Sequence, residues 1–507
     1  MSFKNHQRQQ FIIDTANAYT KRKISKRDFL RKMGLAGVGF SAFGMGMLGG
    51  HSRGKGLQLG NMAHAAGHSD MNEWLREVGK PFAGTTIRYT SEATPPTVVA
   101  NELKGEFEEL TGIKIEIEIV PLEQVLAKAT QDVQGQLGTY DLYYLDQAWH
   151  ATFFPDTVDP VEYSQEKPEL AMPGFDYDDF SAPLVEGISK IGDKWVGIPF
   201  DIPIFTFMYR RDILEKHGIA VPKTYDEFTT AVKLITEAEK ENGIFGTGLQ
   251  AKSGHYSLEC DWSQAVWGHG GSIFRADGTF SGNDEQGIMG LEWYQELLAN
   301  APASSLESTW DGQWQMMHSG QVAMVQSWDE FFPGMDGDDS PVKGLWEMTA
   351  PLQGPHTLRD RSAAGFGEIP DWGHQGGSSI ALSRYSKNID AAWLFMQWVC
   401  SKEMMVRLTL GGGFAPMRNS SFADPRVLEK ARVGAGTTRH LPVVLDTIEN
   451  YIASEPDMPL WAGLSSNEIP TELGKLLTGQ EYGGDAKACM DAIAKIVDTQ
   501  TAEAGLR

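Results

Sequence analysis

Five short stretches set an acidic or amide side chain beside an aromatic ring or a hydroxyl. They are Glu92 with Thr94, Asp146 and Gln147 with Trp149, Asp261 with Trp262, Trp328 with Asp329, and Asp371 with Trp372. A molecule dense in hydroxyls, such as a sugar or polyol, needs this pairing on the loops of its cleft, and the five stretches read as such loops. Its C–H faces lie against flat aromatic plates, and its hydroxyls donate to carboxylates and amides. A charged acceptor makes the stronger hydrogen bond. The same residue types also serve plainer ends. A chain with 14 Trp buries many of them in its core. Trp293, Trp393 and Trp398 fall on helical faces among aliphatic neighbours and read as core. The acids Asp201, Asp261, Asp329 and Glu330 would also suit a glycoside hydrolase, which works with two carboxyls roughly 5–10 Å apart. Nothing in their spacing fixes such a pair.

Other chemistries find less support. Of the 12 His, only His64 and His68 have helical ligand spacing; His255, His269, His318 and His374 are scattered. No metal, cofactor or catalytic residue is therefore expected. Cys260, Cys400 and Cys489 include no CxxC pair. They read as buried thiols, with one disulfide as the alternative in an oxidising compartment. Gly411-Gly412-Gly413 lacks the Lys-Ser/Thr of a phosphate-binding loop.

Charge narrows the partners. The 507 residues carry 44 Lys+Arg against 67 Asp+Glu, a formal −23. That balance excludes a nucleic-acid binder, which needs a basic surface to replace phosphate counterions. The charge is also uneven. Residues 1–65 hold eleven Lys/Arg and two acids, whereas residues 66–507 hold 33 and 65. The acidic body would favour a cationic solute at long range, so a polyamine or metal chelate is the alternative ligand to a sugar.

The basic head predicts an export signal. Its cluster, Lys21 to Lys32, precedes an uncharged Gly-rich run from Met33 to Gly50. Ser25-Lys26-Arg27-Asp28-Phe29-Leu30-Arg31 resembles the twin-arginine export motif, with Lys26 in place of the first arginine. Ordinary Sec export is the competing route. Ala63-His64-Ala65 offers a small-x-small cleavage site.

The elements that must position the candidates follow a regular grammar. Thr86–Thr90 alternates as a strand, and Val99, Leu103, Phe107 and Leu110 give one helical face that Gly112 stops. Ile113, Ile115, Ile117 and Ile119 alternate with charged residues, and a helix over 122–135 and a strand over 140–145 follow. This β-α-β-α-β order predicts an α/β fold with a parallel sheet. Such sheets bind ligands beyond the C-terminal ends of their strands, here Ser91–Thr94 and Asp146–Trp149. Further on, Lys194–Phe200, Ile204–Tyr209, Val322–Gln326 and Ser378–Leu382 read as strands. Thr224-Tyr225-Asp226-Glu227 is a capping box. Helices fit 285–299, 312–319, 389–402 and most of 469–506, with a glycine break at 483–484.

In order along the chain, several stretches resemble the extracellular solute-binding proteins of family 1, the maltose-binding type of sugar receptor in bacterial ABC importers. They are Thr111–Glu116, Tyr140–Leu142 running into Asp146–Trp149, Lys194–Phe200 continuing to Met208–Asp212, Val221–Phe228, Ser319–Met324 with Ser327-Trp328, Gly376–Ser383, Ala391–Trp393, and Phe414–Arg418. The likeness spans about residues 82–500. The stretch 333–373 looks like additional material.

The resemblance implies a two-lobed periplasmic-binding-protein fold of type II with the ligand cleft between the lobes. Lobe 1 would hold 82–200 and 374–416, and lobe 2 would hold 201–373 and 417–507. Asp201 would sit at the first crossing. The Gly376-Gly377 loop would let backbone approach the ligand, with Trp372 ahead of it. Arg418 resembles the family's arginine after a Gly-Gly-x-x-Pro turn. The expected ligand set is Glu92, Thr94, Asp146, Gln147, Trp149, Asp201, Asp261, Trp262, Trp328, Asp329, Trp372, Gly377 and Arg418. The resemblance also implies a soluble periplasmic monomer that captures a sugar or polyol by hinge closure and hands it to a membrane permease pair.

Overall fold

The computed structural model describes residues 66–275, 277–353, 373–431 and 438–506. The export signal and Trp372 lie outside them. The chain divides into two compact units. The first holds the chain up to Ile202, Gly337–Asp339 and Gly377–Leu441; the second holds Pro203–Asp336, Ser340–Gly376 and the chain from Pro442. Apart from the three-residue excursion at Gly337–Asp339, the chain thus passes from one unit to the other at Ile202/Pro203, Gly376/Gly377 and Leu441/Pro442.

The first unit is built on a six-stranded sheet. Strand Thr86–Ser91 pairs in parallel with Lys114–Ile119 on one side and Leu142–Asp146 on the other. Alternation sets these strands. Ile115 and Ile117 are buried, while Lys114 and Glu116 between them are exposed. Helix Pro95–Thr111 begins on two prolines, whose missing N–H groups cost nothing at a helix start. It ends at Gly112, whose φ of 73° suits a residue without a Cβ. Helix Leu122–Gly135 makes the second crossover. Strand Ser378–Ser383 then enters antiparallel beside Leu142–Asp146, and Ile198–Asp201 and Thr157–Val158 pair with it in turn. Because Ser378–Ser383 runs backwards, its first residue faces Asp146 on one side and Asp201 on the other.

The second unit holds a four-stranded sheet in the order Trp346–Thr349, Phe205–Arg210, Val322–Trp328, Phe245–Thr247. The first two pairings are antiparallel and the last is parallel. The expected capping box is present. Thr224 accepts from the Glu227 N–H, and the Glu227 carboxylate accepts from the Thr224 N–H, at the start of helix Tyr225–Ala238. Helix Tyr256–Gly268 buries all thirteen of its residues. The tail forms helices Ile469–Leu477 and Ala486–Glu503, separated by a short turn over Tyr482–Gly484. Cys260, Cys400 and Cys489 are buried thiols outside any disulfide among the described residues. Among the described residues no helix is long and apolar enough to cross a membrane.

Candidate functional site

One edge of the first unit's sheet gathers most of that unit's candidates. The parallel strands end at Ser91 and Asp146, and the registers with Ser378 bring Asp201 to the same edge. Past Asp146 the chain turns into a single 3-10 turn, Gln147–Trp149. The Asp146 carboxylate starts this turn by accepting from the Ala148 N–H at 3.0 Å. The Gln147 N–H donates to the Gly377 carbonyl at 2.9 Å. Trp149 is only 1% exposed, and its buried indole N–H has no hydrogen-bond partner among the described residues. Such a donor is uncommon in a folded interior and marks a place where a ligand oxygen would be welcome. Glu92 and Thr94 lie just past the end of the neighbouring strand, half-buried and buried respectively.

Asp201 is fully buried there and accepts from the Tyr144 hydroxyl at 2.8 Å. Burial pushes its carboxyl up to about 6, against the Tyr144 hydrogen bond that favours the charged form. Burial, with the nearby Asp201 and Glu92 charges, also raises the Tyr144 phenol well above its ordinary value. Tyr144 was absent from the sequence-based set. It reads as one more apolar strand residue until Asp201 is placed beside it. Gly377 has φ +89°, and a Cβ there would lie 2.2 Å from the Asp201 carbonyl oxygen. Its glycine is thus demanded by the close passage of two backbones.

Arg418 is also in the first unit, and it is wholly buried. Its guanidinium donates to the carbonyls of Cys400 and Asp176, reaches Asp179 Oδ2 at 3.4 Å, and lies 3.8 Å over the Phe180 ring. These contacts tie the segment around Phe175–Phe180 to the chain after the Gly-Gly-x-x-Pro turn.

In the second unit, Trp328 closes strand Val322–Trp328 rather than following it. Its ring lies 4.1 Å from Phe205, and its indole N–H donates to Gln250 Oε1 at 3.4 Å. Asp329 is fully buried, and its carboxylate accepts from the Ile204 N–H at 2.7 Å. Asp261 and Trp262, expected on a loop, instead lie in the middle of helix Tyr256–Gly268. That is a correction, and its cause is the absence of a polar face to mark the helix. Asp261 accepts from the Gln250 main chain and side chain and from the Tyr294 hydroxyl, and burial pushes it up to about 7. Trp262 is fully buried and stacks on Phe280.

A further group in this unit escaped sequence reasoning. Glu259, Cys260, His374 and Glu455 are all buried, and one donor atom from each lies within 4.8 Å of the others. His374 had seemed an isolated histidine and Cys260 an isolated thiol.

The family model described as bacterial extracellular solute-binding protein matches residues 91–406, more than half of the chain. A protein of Sinorhizobium fredii named "Probable amino-acid ABC transporter periplasmic-binding protein" is 24% identical over 427 residues, covering 82% of this chain and 91% of that protein. The erythritol/L-threitol-binding protein of Mycolicibacterium smegmatis is 23% identical over 442 residues, covering 79% of this chain and 83% of that one. Among solved structures, an ABC transporter solute-binding protein from Agrobacterium radiobacter in complex with ribitol superposes with a TM-score of 0.71 at 24% identity. The match covers 83% of this chain and all of the other. At that identity the likeness speaks to the fold: a two-lobed α/β periplasmic binding protein.

Proposed function

The chain belongs to the bacterial extracellular solute-binding protein family, and from that premise we propose that it captures a polyol or small neutral sugar for an ABC importer. The observation that carries this reading is the sheet edge of the first unit, where Glu92, Asp146, Gln147, Trp149 and Asp201 converge. Carboxylates and an amide accept from hydroxyls, and Trp149 offers an apolar face with a free N–H. In the second unit Trp328 is the candidate aromatic plate. The ligands named for the Mycolicibacterium and Agrobacterium proteins, erythritol or threitol and ribitol, support the same class.

An amino acid, the class in the Sinorhizobium protein's name, fits this edge less well. Its ammonium would find Glu92, Asp146 and Asp201, but its carboxylate would find no cationic partner among the five residues of this edge. We also propose that the protein acts in the periplasm as a monomer, performs no catalysis, and delivers its ligand to a permease pair. Membership of the family supports the location and the permease.

The test is a thermal-shift screen against polyols, neutral sugars, oligosaccharides, amino acids, polyamines and metal chelates. A ligand that binds the folded state alone raises the midpoint by mass action, about 2.7 kcal/mol of stabilisation at a hundredfold excess over Kd. A shift with a polyol or sugar and none with amino acids is expected. Shifts confined to amino acids or polyamines would overturn the ligand class.

A further inference from the structure

The buried group in the second unit joins three separate stretches of chain. Glu259 and Cys260 come from helix Tyr256–Gly268, His374 from the short strand Gly373–His374, and Glu455 from just beyond Ile452–Ala453. The two short strands pair in parallel, His374 opposite Ala453. His374 Nε2 lies 2.6 Å from Glu455 Oε1. The other Glu455 oxygen accepts from the Trp461 N–H, and the His374 main-chain N–H donates to Gln264 Oε1 at 2.7 Å. Around the imidazole stand the rings of Phe205, Trp267 and Trp328.

Glu259 and Glu455 bring two carboxylates into this apolar setting, and with Cys260 and His374 they place four metal-binding donor atoms within reach of one ion. The donor set is also chemically apt: a thiol, an imidazole and two carboxylates are the zinc ligand types. The hydrogen bonds to Glu455 and His374 are the outer contacts that orient metal ligands. The buried His374 Nδ1 has no hydrogen-bond partner among the described residues.

We propose that Glu259, Cys260, His374 and Glu455 hold one zinc ion. The ion is resident in the second unit and pins the helix to the two short strands; it is not the transported solute. On binding, the Cys260 thiol loses its proton to solvent and the thiolate bonds the metal. Since all four groups are buried, the ion enters as the chain folds.

The experiment uses the full chain, purified without a histidine tag, denatured with chelator and refolded with zinc, with cobalt(II), or with neither. The expected result is one zinc per chain by elemental analysis and a higher melting midpoint than the metal-free protein. Cobalt should give a thiolate-to-metal charge-transfer band. Cys260→Ser, close in size to the original, should keep the far-ultraviolet circular dichroism but lose that band. His374→Gln should lower the metal content. Failure of wild-type chain to take up stoichiometric metal on refolding would overturn the proposal. So would uptake that Cys260→Ser and His374→Gln leave unchanged. Either failure leaves polyol binding, measured separately, untouched.

Discussion

Gly377→Ala tests how tightly the backbone is packed at the first unit's sheet edge, and Gly84→Ala is its matched control. The two glycines have nearly the same backbone angle, φ +89° and +87°. They differ in surroundings. A Cβ on Gly84 meets nothing within 4 Å, whereas one on Gly377 would lie 2.2 Å from the Asp201 carbonyl oxygen and 2.7 Å from Ile202 Cα. The left-handed backbone alone costs an alanine about 1–2 kcal/mol. Overpacking against atoms that cannot swing away adds about 1–3 kcal/mol. Gly84→Ala should therefore lose about 1–2 kcal/mol and Gly377→Ala about 2–5 kcal/mol. The larger loss is a sizeable part of a typical stability of about 5–15 kcal/mol. Relief of the clash would move Gly377 away from Asp201 and pull on the Gln147 N–H that donates to the Gly377 carbonyl, so ligand affinity should fall with stability. Scanning calorimetry and urea unfolding of the two variants beside the wild type measure the difference. Equal losses, or a Gly377→Ala protein as stable as the wild type, would refute the reasoning.

Further expectations concern single groups. Thr224→Ala removes one half of the capping box at helix Tyr225–Ala238 and should cost about 0.5–2 kcal/mol in urea unfolding. His150 is fully buried, its Nε2 lies 3.2 Å from the Leu145 carbonyl, and burial lowers its imidazole to about 4. The unfolded chain, near 6.5, binds a proton that the folded chain refuses, so stability is lost as pH falls from 6.5 through 4. The linked loss approaches about 3 kcal/mol at full protonation, and His150→Gln should flatten that part of the stability profile relative to wild type. Asp201 has the opposite sign. Its carboxyl is raised to about 6, so the stability tied to its proton is present below pH 4 and lost as pH rises to 6. Asp201→Asn should remove that fall.

Much of this architecture could be read from residue order. Alternating isoleucines marked strand Lys114–Ile119, Gly112 marked a helix end, and Thr224 with Glu227 marked a helix start. Each of these signals is local. Helix Tyr256–Gly268 gave no such signal, because a helix buried on every side has no polar face to set a period. Asp261 and Trp262 were therefore read as loop residues. The backward run of Ser378–Ser383 inside a parallel sheet depends on partners far off in sequence. So does the meeting of Tyr144 with Asp201, and of Cys260 with His374 and Glu455. The strand ends carrying Glu92, Asp146 and Trp149 were legible because β-α-β order sets where parallel strands begin and end.

Polyol binding at that sheet edge is the central claim, and titration calorimetry with ribitol and erythritol on wild type, Trp149→Ala and Asp201→Asn tests it most directly. The account predicts saturable one-to-one binding by the wild type. Loss of a charged hydrogen-bond acceptor is worth about 1.5–3 kcal/mol, so Asp201→Asn should weaken it about 10- to 100-fold, and Trp149→Ala should weaken it as well. Polyol or sugar binding that both variants leave unchanged, or saturable binding of amino acids alone, would contradict it.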